Sequence, residues 1–288
     1  MKSAPFTYYA PTSLDEVLGL LAQNSEARIL AGGQSLVPRM RARIEKPAVI
    51  IDINRVPDLD TVTVEAGAVT VGALVRQQTL VESDAIAKVH PLIRLAGSHA
   101  GFHTTRHRGT IGGSIAFAAP WAELSATVIT LGATITVRSA DDQRQIAAGE
   151  FFLGPHQTAL QPGELVTEVH FPAAAAGTGF GFHEASPRHR DYATAAAAAA
   201  ITASGGTIVD ARLTLLRAAP APLQVDVAPI LGGRVVDAAS IVDVIGSLAE
   251  LDPPSDIEAS GRHRARLART LTERALVDAW ARAQEVAA

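Results

Sequence analysis

The 288-residue chain contains no cysteine. That excludes disulfides, thiolate nucleophiles and any iron–sulfur cluster ligated by the chain's own thiolates. If the protein handles electrons, an organic cofactor must carry them. No run of about 18 or more purely apolar residues occurs, so no membrane span is expected. The opening MKSAPFTYYA lacks the charged head and apolar stretch of a secretion signal, which makes a cytoplasmic location the expectation. A strong excess of one charge is missing too. The formal net charge of -4 gives no overall attraction to nucleic acid or to a membrane surface. What is present is core-forming material: 48% of residues are hydrophobic and 19% charged, in a length that suits one large domain or two to three smaller ones.

Residues 1–60 read as strand–helix–strand–helix–strand. The helix over 12–24 opens on Thr12 or Ser13 and repeats apolar residues at Leu14, Val17, Leu18 and Leu21. Strands follow at 28–31 and 48–54, flanking a short helix over 35–44 that contains Pro38. Residues 61–75 predict a hairpin around Ala66-Gly67. Helical runs near 79–98 and 120–131 bracket a loop at 109–114. Strands are expected at 133–139 and 165–171, then a small-residue boundary at 173–179. The run 193-ATAAAAAAIT-202 has the highest helix propensity of the chain, but its threonines also permit a buried strand. Strand alternation over 206–218 and helix-rich stretches at 238–251 and 261–286 complete the chain.

Two glycine pairs carry the chemistry. In 31-AGGQSLVPRM-40, glycines after a strand place successive N–H groups in one concave turn, a nest for anionic oxygens ahead of a helix N-terminus. The spacing fits neither G-x-G-x-x-G nor G-x-x-x-x-G-K-[ST]. The second pair lies in 109-GTIGGSIAFAAP-120. Two such segments far apart in sequence can clamp one diphosphate from two sides, as a dinucleotide such as FAD requires.

With 6-FTYYAPTSLDEVLGLLAQ-23, 108-RGTIGGSIAFAAPWAELSA-126, 151-FFLGPHQTALQPGEL-165 and 188-RHRDYA-193, these stretches resemble the FAD-binding medium subunit of the molybdenum hydroxylases, the carbon monoxide dehydrogenase and xanthine dehydrogenase family. The resemblance implies an α+β chain with the FAD-binding vanillyl-alcohol-oxidase (PCMH) type fold. Two α/β subdomains would span 1–58 and 59–175, and a C-terminal domain of antiparallel sheet and helices 176–288. It implies that Ala31, Gly32, Gly33, Gln34 and Ser35 bind the FAD diphosphate from one side and Thr110, Gly112, Gly113 and Ser114 from the other, with Leu30, Leu36 and Ile111 also at the cofactor. Glu123 would bond the ribose or adenine end and Leu160 pack near the flavin or adenine. His183, Asp191 and Tyr192 would approach the isoalloxazine, with Tyr192 against the ring. Molybdopterin cytosine dinucleotide would sit on a large partner subunit and two [2Fe–2S] clusters on a small one, in a dimer of heterotrimers relaying electrons to a terminal acceptor. The sequence departs from relatives at 118-AAP-120, where many carry A-D-P, at 107-HRGT-110, and at His183, where one branch has lysine.

Other features are weaker. His99, His103 and His107 have i, i+4, i+8 spacing, but glycine and consecutive threonines argue against a helix and hence against a zinc site. These histidines, with Arg106 and Arg108, are read as bordering the cofactor's phosphates or a partner. The arginines of 262-RHRARLARTLTER-274 read as a solvated helix face, with docking onto an acidic partner as the sharper alternative. Neither Ser35 nor Ser114 sits in G-x-S-x-G. A self-contained flavin oxidoreductase and a non-catalytic assembly subunit are the alternative functions. The first lacks an identifiable acid or base, and intact glycine segments argue against the second.

Overall fold

In the computed structural model, which describes residues 2–287, Ser13 opens the first helix, Leu14–Gln23, by accepting the amide of Glu16. Its buried face, Val17, Leu18 and Leu21, covers a three-stranded parallel sheet ordered Thr7–Tyr9, Val49–Asp52, Arg28–Leu30. The helix Leu36–Arg41 tolerates Pro38 because the proline lies in the first turn, where its missing amide forfeits no helical bond.

Ala66 and Gly67, at φ of 47° and 85°, turn the expected hairpin between Val62–Glu65 and Ala68–Gly72. The hairpin extends into a five-stranded antiparallel sheet, continuing through Leu165–Phe171, Thr134–Arg138 and Gln143–Ala147. Helices Pro91–Gly97, Ile111–Phe117 and Glu123–Thr130 join Leu92, Ile111, Ile115 and Val128 to Val69, Val71, Ile135 and Val169 in one core. The loop expected at 109–114 is therefore corrected. Thr110 caps a helix there, and both glycines lie in its first turn. The helical run at 79–98 divides into Gln77–Glu82, Asp84–Val89 and Pro91–Gly97, restarted by the Ser83 cap and by Pro91.

The C-terminal region is an antiparallel meander of Thr178–Ala185, Ala195–Ser204, Thr207–Leu216 and Leu223–Val225. The alanine run is its second strand, buried on both faces. Ala195, Ala197, Ala199 and Ile201 join the core under the long helix Gly261–Ala287, while Ala196, Ala198 and Ala200 join the core of the five-stranded sheet. Helix propensity is overridden because methyl-sized side chains let helices approach the sheet from both sides. Gly179 and Gly181 do the same on the neighbouring strand, where an added Cβ would collide with the backbone of Ala279 and Ala275.

The arginine-rich stretch is only partly a solvated face. Arg262, Arg266 and Arg274 are exposed, but Arg264 is fully buried, with Nη2 2.7 and 2.8 Å from the two carboxylate oxygens of Asp256. Arg269 donates to the carbonyls of Leu248 and Ala249. Both find partners within the chain. No helix among the described residues is long and apolar enough to cross a membrane.

Candidate functional site

The strand Arg28–Leu30 delivers the first glycine pair to the top of the parallel sheet. Ala31 and Gly32 are buried, and an added Cβ on Gly32 would run into the carbonyl of Arg108. Gly33 takes φ of 73°, which favours glycine. Among the described residues, none accepts a hydrogen bond from the amides of Gly32, Gly33, Gln34, Ser35 or Leu36. Five successive N–H groups thus stand free at one loop, ahead of the helix Leu36–Arg41.

The second glycine pair behaves differently. The amides of Ile111 and Gly112 donate to the carbonyls of Val75 and Ala73 at 3.0 and 2.9 Å. Gly113 donates to Thr110 Oγ1 at 3.1 Å and Ser114 to the Thr110 carbonyl at 3.0 Å. Gly112 is a close-approach position, since a Cβ there would lie 2.5 Å from that of Ala73. Gly113 is exposed and Ser114 half-buried, and a Cβ on Gly113 would stand 3.8 Å from Ala31 Cβ. The two elements therefore face each other across one atomic layer, with the free amides on the first side and glycine surface and hydroxyl on the second.

Asn54 and Arg76 lock this arrangement. Asn54 Nδ2 donates to the carbonyls of Leu30 and Ala31 at 3.3 and 2.8 Å, while its Oδ1 accepts from Arg76 Nη2 at 2.8 Å. Arg76 Nη1 reaches the Arg108 carbonyl at 2.8 Å, and desolvation by burial is the main cause lowering the basicity of this guanidinium. One chain of hydrogen bonds thus runs from the parallel sheet to the second glycine element.

Beyond the helix Ile111–Phe117 the few aromatic residues gather. The ring of Trp121 lies 4.7 Å from Tyr192, and that of Phe117 lies 4.5 Å from His156. Arg39 and Arg217 stack over Phe117 and Trp121 at 5.8 and 5.7 Å. Tyr192 is 58% exposed, so a planar surface remains available beside the glycine elements. Phe117, Trp121, His156 and Arg39 were not singled out in the sequence; the usable signal was Trp121 immediately after the second glycine segment.

The remaining candidates divide. Asp191 Oδ1 accepts the amide of Tyr192 at 2.9 Å and shapes its turn. Leu160 packs on the middle core, at the end of a hairpin that the amide of His156 ties to the Ala118 carbonyl. His183 faces the other way: its Nε2 lies 3.2 Å from Asp278 Oδ2 on the long helix. Glu123 is buried at the start of its helix, and desolvation, followed by the neighbouring Glu184, pushes its carboxyl up to about 8. His103 and His107 share the helix His103–Arg108, contrary to expectation, with Nε2 atoms 3.1 Å apart. Gly101, at φ of 58°, separates them from His99, which packs on Phe182. Arg106 is buried, bonded to Gln78 and the Gly101 carbonyl.

A parallel unit and an antiparallel unit meeting at two glycine elements, with an aromatic surface beside them, define a flavin-dinucleotide-binding protein. Residues 4–174 match the FAD binding domain in molybdopterin dehydrogenase, and residues 180–279 the CO dehydrogenase flavoprotein C-terminal domain. The 6-hydroxypseudooxynicotine dehydrogenase complex subunit alpha of Paenarthrobacter nicotinovorans is 35% identical, over 99% of this chain and 97% of its own. The carbon monoxide dehydrogenase medium chain of Hydrogenophaga pseudoflava is 33% identical, over 96% of this chain and 98% of its own. In the solved carbon monoxide dehydrogenase from Hydrogenophaga pseudoflava, one chain superimposes with a TM-score of 0.94 at 33% identity, covering 98% of this chain and 99% of that one. The chain belongs to the family of FAD-binding medium subunits of molybdenum hydroxylases, and is an oxidoreductase subunit.

Proposed function

We propose that the chain binds FAD between its two glycine elements and serves as the electron-relaying subunit of a three-component molybdenum hydroxylase. The observation that carries this is the row of unbonded amides from Gly32 to Leu36, facing the exposed surface of Gly113 and Ser114. In this reading the amides of the first loop bind diphosphate oxygens, with partial positive charge added by the helix behind them. The hydroxyls of Thr110 and Ser114 and the surface of Gly112 and Gly113 form the opposing wall. Glu123 meets the ribose or adenine end, and Leu160 lies against the bound group. Tyr192, backed by Trp121, covers the isoalloxazine and controls access to it.

The flavin supplies the redox chemistry, taking electrons from iron–sulfur clusters of a small subunit and passing them to a terminal acceptor. The chain's own residues need provide no nucleophile or general acid; they bind, orient and shield. A large subunit with molybdopterin cytosine dinucleotide holds the organic substrate, in a cytoplasmic dimer of heterotrimers. Two relatives are described as a medium chain and as a complex subunit, which supports the division of labour. Subdomain limits of 1–58, 59–175 and 176–288 belong to the same reading.

The test is direct. Purified protein is expected to be yellow and to release one FAD per chain on denaturation. A colourless protein that stays empty after incubation with FAD would overturn the reading.

A further inference from the structure

Among the described residues, Glu184 is the one carboxylate whose buried oxygens find no hydrogen-bond donor. It lies on Thr178–Ala185, next to His183 but on the opposite face, which it presents to the side of the five-stranded sheet. Its side chain is 0% exposed, and neither oxygen has a hydrogen-bond donor. An ionised carboxylate in that position requires a donor.

The neighbours narrow the choice. From the segment after Pro91–Gly97, His99 Nδ1 stands 3.8 Å away, beyond hydrogen-bond reach. From His103–Arg108, Arg106 has committed Nε to Gln78 and Nη1 to the Gly101 carbonyl, and no hydrogen bond from its Nη2 reaches Glu184; its charge lowers the Glu123 carboxyl, but less than burial and Glu184 raise it. Glu82, on the helix with Gln78, adds negative charge. From the loop before Tyr192, His189 meets the ring of His99 edge-on, and Arg190 adds positive charge near Arg106. The remaining contact is Glu123, across the domain boundary on Glu123–Thr130, whose carboxyl is within hydrogen-bonding reach of Glu184. Two carboxylates in buried contact cannot both be ionised, so one retains a proton and donates it to the other.

We propose that Glu184 is a positioning residue for the cofactor site: it accepts the hydrogen bond of protonated Glu123 and so holds Glu123 in place at the FAD. This rests on the reading that Glu123 meets the ribose or adenine end. Burial and Glu184 together keep the Glu123 proton up to about pH 8. Above that, two carboxylates face each other, Glu123 is pushed from its position, and the strand carrying Glu184 is repelled from the helix carrying Glu123.

The experiment is FAD titration of the full chain, stripped of flavin, followed by flavin fluorescence from about pH 6.5 to about pH 9.5. For the wild type, Kd is expected to be level to about pH 7.5 and to rise roughly tenfold or more by the upper limit. Glu184→Gln should bind several-fold more weakly at the lower limit and begin to lose affinity at a lower pH than wild type, because burial still raises the Glu123 carboxyl while Glu184 no longer does. A level wild-type profile, or a Glu184→Gln profile that breaks at the same pH as wild type, overturns the proposal. Failure of the wild type to bind FAD at any pH would instead remove the cofactor reading and leave the pair to a second measurement, the Tm of the flavin-free chain. The Glu123 carboxyl is raised from 4.5 to about 8, so its contribution is complete below the unfolded value and lost as pH rises through the folded one. Wild-type Tm should therefore fall more than that of Glu123→Gln, whose amide still donates to Glu184, between about pH 5 and about pH 8.5. Parallel curves would show that no proton is shared.

Discussion

At the scale of single residues, the four glycines of the two signature segments do different jobs. Gly32 and Gly112 are small because the backbone of Arg108 and the residue Ala73 occupy the space of a Cβ; they bring protein to protein. Gly33 is needed for its positive φ, and Gly113 for surface that faces the first loop. Gly33→Val strains a left-handed backbone, and the new side chain of Gly113→Val meets Thr110 Oγ1 at 2.8 Å, disturbing the cap. Each is expected to weaken FAD retention more than about tenfold, read as flavin absorbance per chain after gel filtration. Wild-type flavin in both variants would place the cofactor elsewhere. Arg76→Met removes the bonds to Asn54 and to the Arg108 carbonyl, and should lower stability by about 1–3 kcal/mol in urea unfolding while weakening FAD binding. An unchanged midpoint would show that the Asn54–Arg76 chain contributes nothing to holding the two elements together.

At the scale of elements, close approach of helix and sheet governs the C-terminal region. Gly181→Ala places a methyl against the Ala275 carbonyl of the long helix and should cost about 1–3 kcal/mol, observed as a lower Tm. The segment 252–260 adds an acid-sensitive clasp. Desolvation pushes the Asp256 carboxyl up, but hydrogen bonds from Arg264 and the amides of Glu258 and Ala259, with Arg217 nearby, win and hold it well below the usual range. A depressed carboxyl contributes stability above its unfolded value and loses it as pH falls through the folded one. Asp256→Asn should therefore be less stable than wild type near neutrality, with the gap narrowing below about pH 4; a gap constant with pH would show that the charge is immaterial. The alanine run explains why this region resisted reading. Its residues carry strong helix propensity, and only burial on both faces selects the strand.

At the scale of the whole molecule, the proposed function puts the substrate chemistry on other subunits, and the lack of cysteine agrees with clusters held by another chain. Native purification is expected to yield a larger molybdenum-containing chain and a smaller iron–sulfur chain in stoichiometric amounts. A monomer that oxidises an organic substrate unaided would refute the assembly. Much of the architecture was legible in advance. The first helix followed from its apolar spacing and N-cap region, and the hairpin from Ala66-Gly67. The existence of two glycine elements was equally legible, since their sequence is local. Their asymmetry was not: whether an amide is free or bonded depends on carbonyls of Ala73 and Val75, far away in the chain. Trp121, His156 and Arg39 were invisible for the same reason, because their ring contacts join separate segments.

The sequence by itself determined the elements that depend on neighbours along the chain: the parallel unit, the hairpin, the glycine pairs and the absence of any thiolate ligand. Tertiary structure alone decided which glycines serve packing and which leave amides free. It also decided that the alanine run is a strand, that Arg264 is buried, and that Glu123 meets Glu184. The physical reason is common to these cases. Burial, hydrogen-bond satisfaction and charge pairing are set by what lies across space, and short-range pattern carries no record of it.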